Sequence, residues 1–486
     1  MSINSALNNA YSGLSATGRM AEIAANNIAN ALNDDYNRRS VELASSITAG
    51  RGSGVEVAGI NRAVDANLVR DLRGAEGRLA NAGIAEGAAS TIASAIGGPD
   101  DLDSLFALYE DFETALEAVA DTPESQASQQ RVAVAASAIT TKFNDLSATA
   151  ALLRTDADNQ IAREIEKLNG NLGEVEAINR EIELAVVSGR DATALLDQRE
   201  KLLDEISRII PIKEVPTENG KVDILGENGV FLLNGQAKEV SFTAAGQVVQ
   251  GQTLANGALS GLSVGDIDIT PGSGVLGVEG GSIGALFKVR DETGVEFADQ
   301  VDALARDLVE RFQSPAVDPT LVAGDAGLFT DFGAAFDPTN QEGLASRIAV
   351  NDAIDPAAGG EYRRIRDGIN SVAPGETGSD VIVRNLIDAF RDPAAPPAET
   401  GVFGAFSAND LVASFTSLKT TEQRGAETAA TALQSRVQSL SDAERTFSGV
   451  DTDAETAQLI LIEQSYAANA RVIEVIDQLI QRLLEI

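Results

Sequence analysis

Apolar positions at the two ends of the chain recur with one spacing. Ile3, Leu7, Ala10, Leu14, Thr17, Ala21, Ala24 and Ile28 are separated alternately by four and three residues, the period of a helix that lies along another helix. Leu459, Ile462, Tyr466, Asn469, Ile473, Ile476, Ile480 and Leu483 repeat it at the C-terminus. The first seam is made mostly of small residues. At roughly 25 cal/mol per Å2 of apolar area such a seam gains little from burial, and an isolated helix of this length is marginal in water. Both ends are therefore expected to gain order by packing on each other and on neighbouring molecules, with Asn469 fixing the register at some cost in stability.

Between the ends the pattern changes twice. From Asn61 to about Ile209 the periodicity predicts long helices, broken at Gly97-Gly98-Pro99, Thr122-Pro123 and Ser188-Gly189, and Pro211 and Pro216 close the run. From about Ile212 to Ile283 glycine becomes frequent and apolar runs shorten and alternate. Lys221–Leu225 and Val230–Leu233 flank a turn, Asn234-Gly235 is a hairpin signal, and Asp266–Thr270 alternates like a strand. Helical periodicity returns from Ile283 to Gln313, shorter elements fill 314–401, and a long polar helix from Asn409 to Phe447 leads to the terminal seam. The fold class expected is mainly α: a long helical bundle with paired N- and C-terminal coiled-coil helices and an inserted small β-rich domain. The domains expected are 1–36 with 448–486 (terminal helices), 37–211 with 284–447 (long helices), and 212–283 (β-rich insertion).

Composition narrows the chemistry. Of 486 residues 44% are hydrophobic but only 4% aromatic, so cores are built from Leu, Ile, Val and Ala. The 73 acidic residues outnumber 37 basic ones, for a formal charge of −36. Such a surface repels phosphate backbones and anionic lipid, so neither nucleic acid nor membrane is an expected partner. Cys, His and Trp are absent, which removes thiolate nucleophiles, imidazole bases and the usual zinc ligands. No catalytic residue, cofactor or metal site is expected. Asp451, Asp453 and Glu455 imitate the start of a calcium loop, but Thr456 stands where that loop needs Gly. The first 30 residues hold one cation, Arg19, and no long apolar run, so no cleavable signal peptide is legible. No apolar run is long enough to span a bilayer.

Two short motifs sit on the terminal seams. Asn26, Asn27, Ile28 and Asn30, followed by Tyr36, resemble the N-terminal signature of bacterial flagellar rod, hook and hook-associated proteins, with Asp35 where that family usually has Gly. Ser448, Gly449 and Val450, then Glu463 to Arg471, are similar to its C-terminal signature, with Asp451 where Asn is commoner. Asparagines at a helix end can satisfy orphan backbone groups and tolerate left-handed geometry. Ala194–Ile206 looks like a stretch typical of the hook-associated members. There Leu195, Leu202, Leu203 and Ile206 share a helix face and Asp197 is spaced to pair with Lys201.

The resemblance implies a structural subunit of the hook–filament junction, located outside the cell and exported by the flagellar type III apparatus without a cleaved signal. Its implied partners are copies of itself in a ring, hook protein, a second hook–filament junction protein, and a cytoplasmic export chaperone on the C-terminal helix. Alternatives are a hook or distal rod subunit, or a secreted binding protein that uses the β insertion.

Overall fold

The computed structural model describes residues 3–33, 35–48, 51–98 and 100–484. Pro99, part of one expected helix break, and the extreme residues of the expected terminal domain lie outside these. α1 (Ile3–Ala29) is followed by a hairpin of β1 (Arg39–Thr48) and β2 (Arg51–Arg62), then by α2 (Ala66–Ile96), α3 (Leu105–Asp121), the 62-residue α4 (Gln126–Val187) and α5 (Thr193–Ile209). Three expected breaks thus fall between helices. The region 37–62 departs from expectation: it is an antiparallel hairpin, not part of a helical run, and Asn61 lies in β2. Val41 and Leu43 lie opposite Ile60 and Val57, but the Ala, Ser and Gly residues scattered through both strands weaken the strand signal.

The chain continues through β3 (Ile212–Pro216), β4 (Val222–Gly226), β5 (Phe231–Asn234), β6 (Gln236–Ala237), β7 (Val240–Ser241), β8 (Ser263–Val264) and β9 (Ile267–Asp268). The strands form two sheets, of order β3-β4-β5-β6 and β7-β8-β9, so the strand expected over Asp266–Thr270 is only two residues long. α6 (Gly281–Lys288) runs through a π turn at Val289–Thr293 into α7 (Gly294–Phe312). β10 (Phe329–Asp331), α8 (Leu344–Arg347), β11 (Ile348–Val350), α9 (Arg364–Asp367) and α10 (Val381–Arg391) follow, and then α11 (Ala408–Ser448) and α12 (Thr452–Leu484).

These elements form two compact units. The first comprises residues 1–79, 167–239 and 433–486, and the second comprises 80–166 and 240–432. Residues 212–239 therefore pack in the first unit and 240–283 in the second, and the two sheets divide at the same place.

The second unit has a large core. Ser104 caps α3 by accepting a hydrogen bond from the Ala107 amide, which starts a helix whose Leu105, Tyr109, Phe112, Leu116 and Val119 are all buried. Phe112 meets Phe312, Phe329 and Phe390 with ring centres 5.9, 5.7 and 5.5 Å away. The few aromatics of the sequence are concentrated here. In the π turn Arg290 is wholly buried, donating to Asp158 at 2.8 Å and lying 4.5 Å from the Phe287 ring centre.

In the first unit, Asn179 of α4 serves β4: its amide donates to the Val222 carbonyl at 2.8 Å and its oxygen accepts from the Val222 N–H at 3.3 Å. One asparagine side chain thus takes the place of a neighbouring strand.

Candidate functional site: the terminal helix pair and its root

α1 packs on α12 and on the β1–β2 hairpin. Its neighbours at opposite ends fix the direction: Gly13 faces Asn469, and Tyr36, just beyond the end of α1, lies near Glu455 at the start of α12. The pair is therefore antiparallel. Of the N-terminal seam, Ala10, Thr17 and Ala24 are buried, Ile3, Leu7, Leu14 and Ala21 are half-buried, and Ile28 is exposed. Ala16, Ile23 and Asn27 are also buried, so the covered stripe is wider than the heptad positions and turns toward Asn27 at its C-terminal end. Of the C-terminal seam, Ile462 and Ile476 are buried and Leu459, Asn469, Ile473 and Ile480 half-buried, while Tyr466 and Leu483 are exposed. A Cβ on residue 13 would lie 2.8 Å from the Asn469 side-chain nitrogen. Gly13 is the notch into which Asn469 fits.

The root of this pair is polar. Asn27 is 1% exposed. Its amide donates to the Arg39 carbonyl at 2.9 Å, and its oxygen accepts from the Arg39 N–H at 3.0 Å and from the Tyr36 hydroxyl at 2.8 Å. This repeats what Asn179 does for Val222, here tying the helix to the first residue of β1. Burial pushes the Tyr36 hydroxyl pKa up; the Arg39 guanidinium, 4.6 Å from the ring centre, opposes that shift. Asn30 donates to the Asn26 carbonyl at 2.9 Å and so closes the last turn of α1. The asparagine run therefore divides its work: the Asn30 side chain closes the helix on the Asn26 carbonyl, and Asn27 grips the strand. Asp35, standing in for the usual glycine, leaves the Tyr36 N–H bonded to the Asn33 carbonyl at 3.1 Å and pairs its own carboxylate with Lys201 at 2.6 Å.

The C-terminal motif arrives at the same place. The Arg38 N–H donates to the Ser448 carbonyl at 2.8 Å. Gly449 sits so close to the Arg445 carbonyl that a Cβ would collide with it, which explains a glycine between α11 and α12. Asp451 then caps α12, accepting from the amides of Asp453 at 2.9 Å and Ala454 at 3.1 Å. Val450 is half-buried beside this turn.

α5 supplies the third wall. Of the face expected there, Leu202, Leu203 and Ile206 are buried and Leu195 is half-buried. The spacing of Asp197 and Lys201 suggested a pair, but Lys201 goes to Asp35 and Asp197 to Arg39 and Arg62. Sequence reasoning missed Arg39 and Arg62 altogether, because Arg39 lies 158 positions from its partner. The available signal was a charged residue, Asp197, among the apolar positions of α5.

Outside the seam α12 keeps an apolar surface: Ile460, Leu461, Val472, Val475 and Leu479 are all exposed. No helix among the described residues is long and apolar enough to cross a membrane.

Comparison with known proteins matches these regions. The profile of the flagellar hook-associated protein FlgK helical domain matches residues 90–316, and that of the flagellar basal body rod FlgEFG protein C-terminal matches 446–486. Flagellar hook-associated protein 1 of Escherichia coli (strain K12) is 24% identical over 557 residues, taking in 100% of both chains. The protein of that name from Bacillus subtilis (strain 168) is 23% identical over 518 residues, covering 98% of this chain and 97% of its own. The solved structure of the flagellar hook junction protein FlgK from Burkholderia pseudomallei aligns with a TM-score of 0.43 at 16% identity, over 54% of this chain and 46% of that one. Relatives named flagellar hook-associated protein 1 thus match the chain from end to end, and flagellar profiles match both its helical interior and its last helix.

Proposed function

We propose that the chain is a structural subunit of the bacterial flagellum that builds the junction between hook and filament, and that it acts by assembly and not by catalysis. The observation that carries this reading is a convergence: the N-terminal motif, the C-terminal motif and α5 meet at the root of one antiparallel helix pair. That arrangement fixes the direction of two helices of the first unit and leaves one of them with an apolar face to spare. Within this reading the exposed face of α12 has two successive partners. A cytoplasmic chaperone covers it before export by the type III apparatus, and neighbouring subunits cover it in a ring seated between hook protein and the second junction protein. An apolar helix face left open in the cytoplasm would otherwise invite aggregation.

Deleting the gene should leave hooks without filaments and release filament protein into the medium, and the full chain should restore filaments. Leu14→Asp and Ile473→Asp place an unpaired charge in the helix seam at a cost of several kcal/mol. Each is expected to abolish filament growth with the second unit still folded by near-UV circular dichroism. Swimming at the normal rate with either variant would overturn the role given to the helix pair.

A further inference from the structure

Arg39 and Arg62 are cross-strand partners at the base of the β1–β2 hairpin. Like charges directly opposite each other in an antiparallel pair destabilise it, and these two are poorly screened, with side chains only 12% and 13% exposed. The sequence has nevertheless put two arginines there. Asp197 of α5 resolves the conflict. One carboxylate oxygen accepts from Arg39 Nη2 at 2.7 Å and the other from Arg62 Nε at 2.7 Å. Glu200, one turn further on, takes the remaining edge of Arg62. Asn37 donates to both carboxylates at 3.2 Å, so neither lacks a donor on the loop side. Two cations and two anions balance in a nearly enclosed site, and the carboxylates that offset the two arginines come from a helix remote in sequence.

We propose that Asp197 is a positioning residue for assembly: by bridging Arg39 and Arg62 it latches the base of the hairpin to α5, and through the hairpin's packing on α1 it holds the terminal helix pair in the geometry that enters the junction. Removing Asp197 does more than delete three hydrogen bonds. It leaves two buried guanidinium groups opposite each other with one carboxylate, Glu200, which pairs with Arg62 alone, and the base of the hairpin opens. α1 then keeps Asn27, its seam on α12 and the Val55 N–H to Ser12 contact near the far end of the hairpin, but loses the fixed base between them. The consequence for assembly rests on the axial-subunit reading above; the latch itself does not.

The test uses the full chain and two variants, Asp197→Asn and the double change Asp197→Asn with Arg39→Gln, which removes the cation left without a carboxylate, since Arg62 keeps Glu200. Hydrogen exchange of the amides of Ser40, Val41 and Ile60 reads the latch directly. The single change should speed their exchange by about tenfold or more, and the double change should bring it back to within a few fold of the parent. Exchange in the single variant equal to the parent, or a double variant more open than the single, would overturn the latch. Filament growth in a deletion strain reads the consequence. The single variant should support few filaments and the double most of the parental number, while exchange in α3 and α7 stays unchanged in both. An opened hairpin with normal filaments would overturn the positioning role and leave the axial reading intact. Failure of the parent chain itself to restore filaments would instead strike the axial reading.

Discussion

The two units are held together by different means. The second is an aromatic and aliphatic core in which Phe112, Phe312, Phe329 and Phe390 touch one another and are essentially solvent-free. The terminal part of the first is an alanine-rich seam fixed at its root by asparagines and ion pairs. Apolar packing is non-directional and grows with area, whereas amide and guanidinium contacts contribute little net stability and define geometry closely. The contrast separates persistence from placement: one region has the contacts that keep a fold, the other those that fix a direction.

The sharpest way to break this comparison is to weaken the core. Phe112→Ala should destabilise the second unit by about 3–5 kcal/mol, seen as a lower denaturant midpoint in near-UV circular dichroism, with hydrogen exchange at Ser40 and Val41 unaffected. A loss below about 1 kcal/mol would mean that the four rings do not act as a packed cluster. A smaller effect is expected at the root. Asn27→Ala orphans the Arg39 amide and carbonyl and the Tyr36 hydroxyl, at a cost of about 1–3 kcal/mol, confined to amides of the first unit in hydrogen exchange. Spread of that loss into α3 would erase the distinction between the regions.

The smallest effect is electrostatic. Burial raises the Asp204 carboxyl pKa to about 6, against the pull of the neighbouring Arg73 guanidinium. An unfolded aspartate titrates near 3.9, so between those values the folded chain holds a proton that the unfolded chain releases. Stability from this group is therefore fully present below about pH 4 and is lost as pH rises through about 6. The side chain is still 35% exposed, so solvent screening keeps the change to no more than about 1 kcal/mol. Asp204→Asn should flatten the pH dependence of the first unit's unfolding midpoint between pH 4 and 7, and an unchanged slope would show that Asp204 does not titrate there.

Legibility followed the range of the interactions. The heptad positions Ala10, Thr17, Ala24, Ile462 and Ile476 are buried, because local periodicity reports which face of a helix is covered. The breaks after α3 and α4 were legible from Pro123 and Gly189 for the same local reason. The hairpin at 39–62 was not, since its strands are rich in Ala, Ser and Gly and their pairing depends on α1 and α5. The second role of the asparagine motif was hidden too. Nothing in Asn-Asn-Ile-Ala-Asn says which amide ends the helix and which one grips Arg39, because that depends on which side chain the seam turns inward.

The contact between Gly13 and Asn469 has a mechanical meaning. Two helices with smooth small-residue seams can fail under axial pull by sliding past each other, at little cost per step. Here Asn469 occupies a notch that exists because residue 13 has no side chain. A slip of one heptad, about 10 Å at 1.5 Å per residue, would carry Asn469 over Ala6 or Met20, each of which has the Cβ that position 13 lacks. The pair thus behaves as a detent with one seat: it resists creep under load until the force lifts the asparagine clear, and when the load falls it has one register to return to.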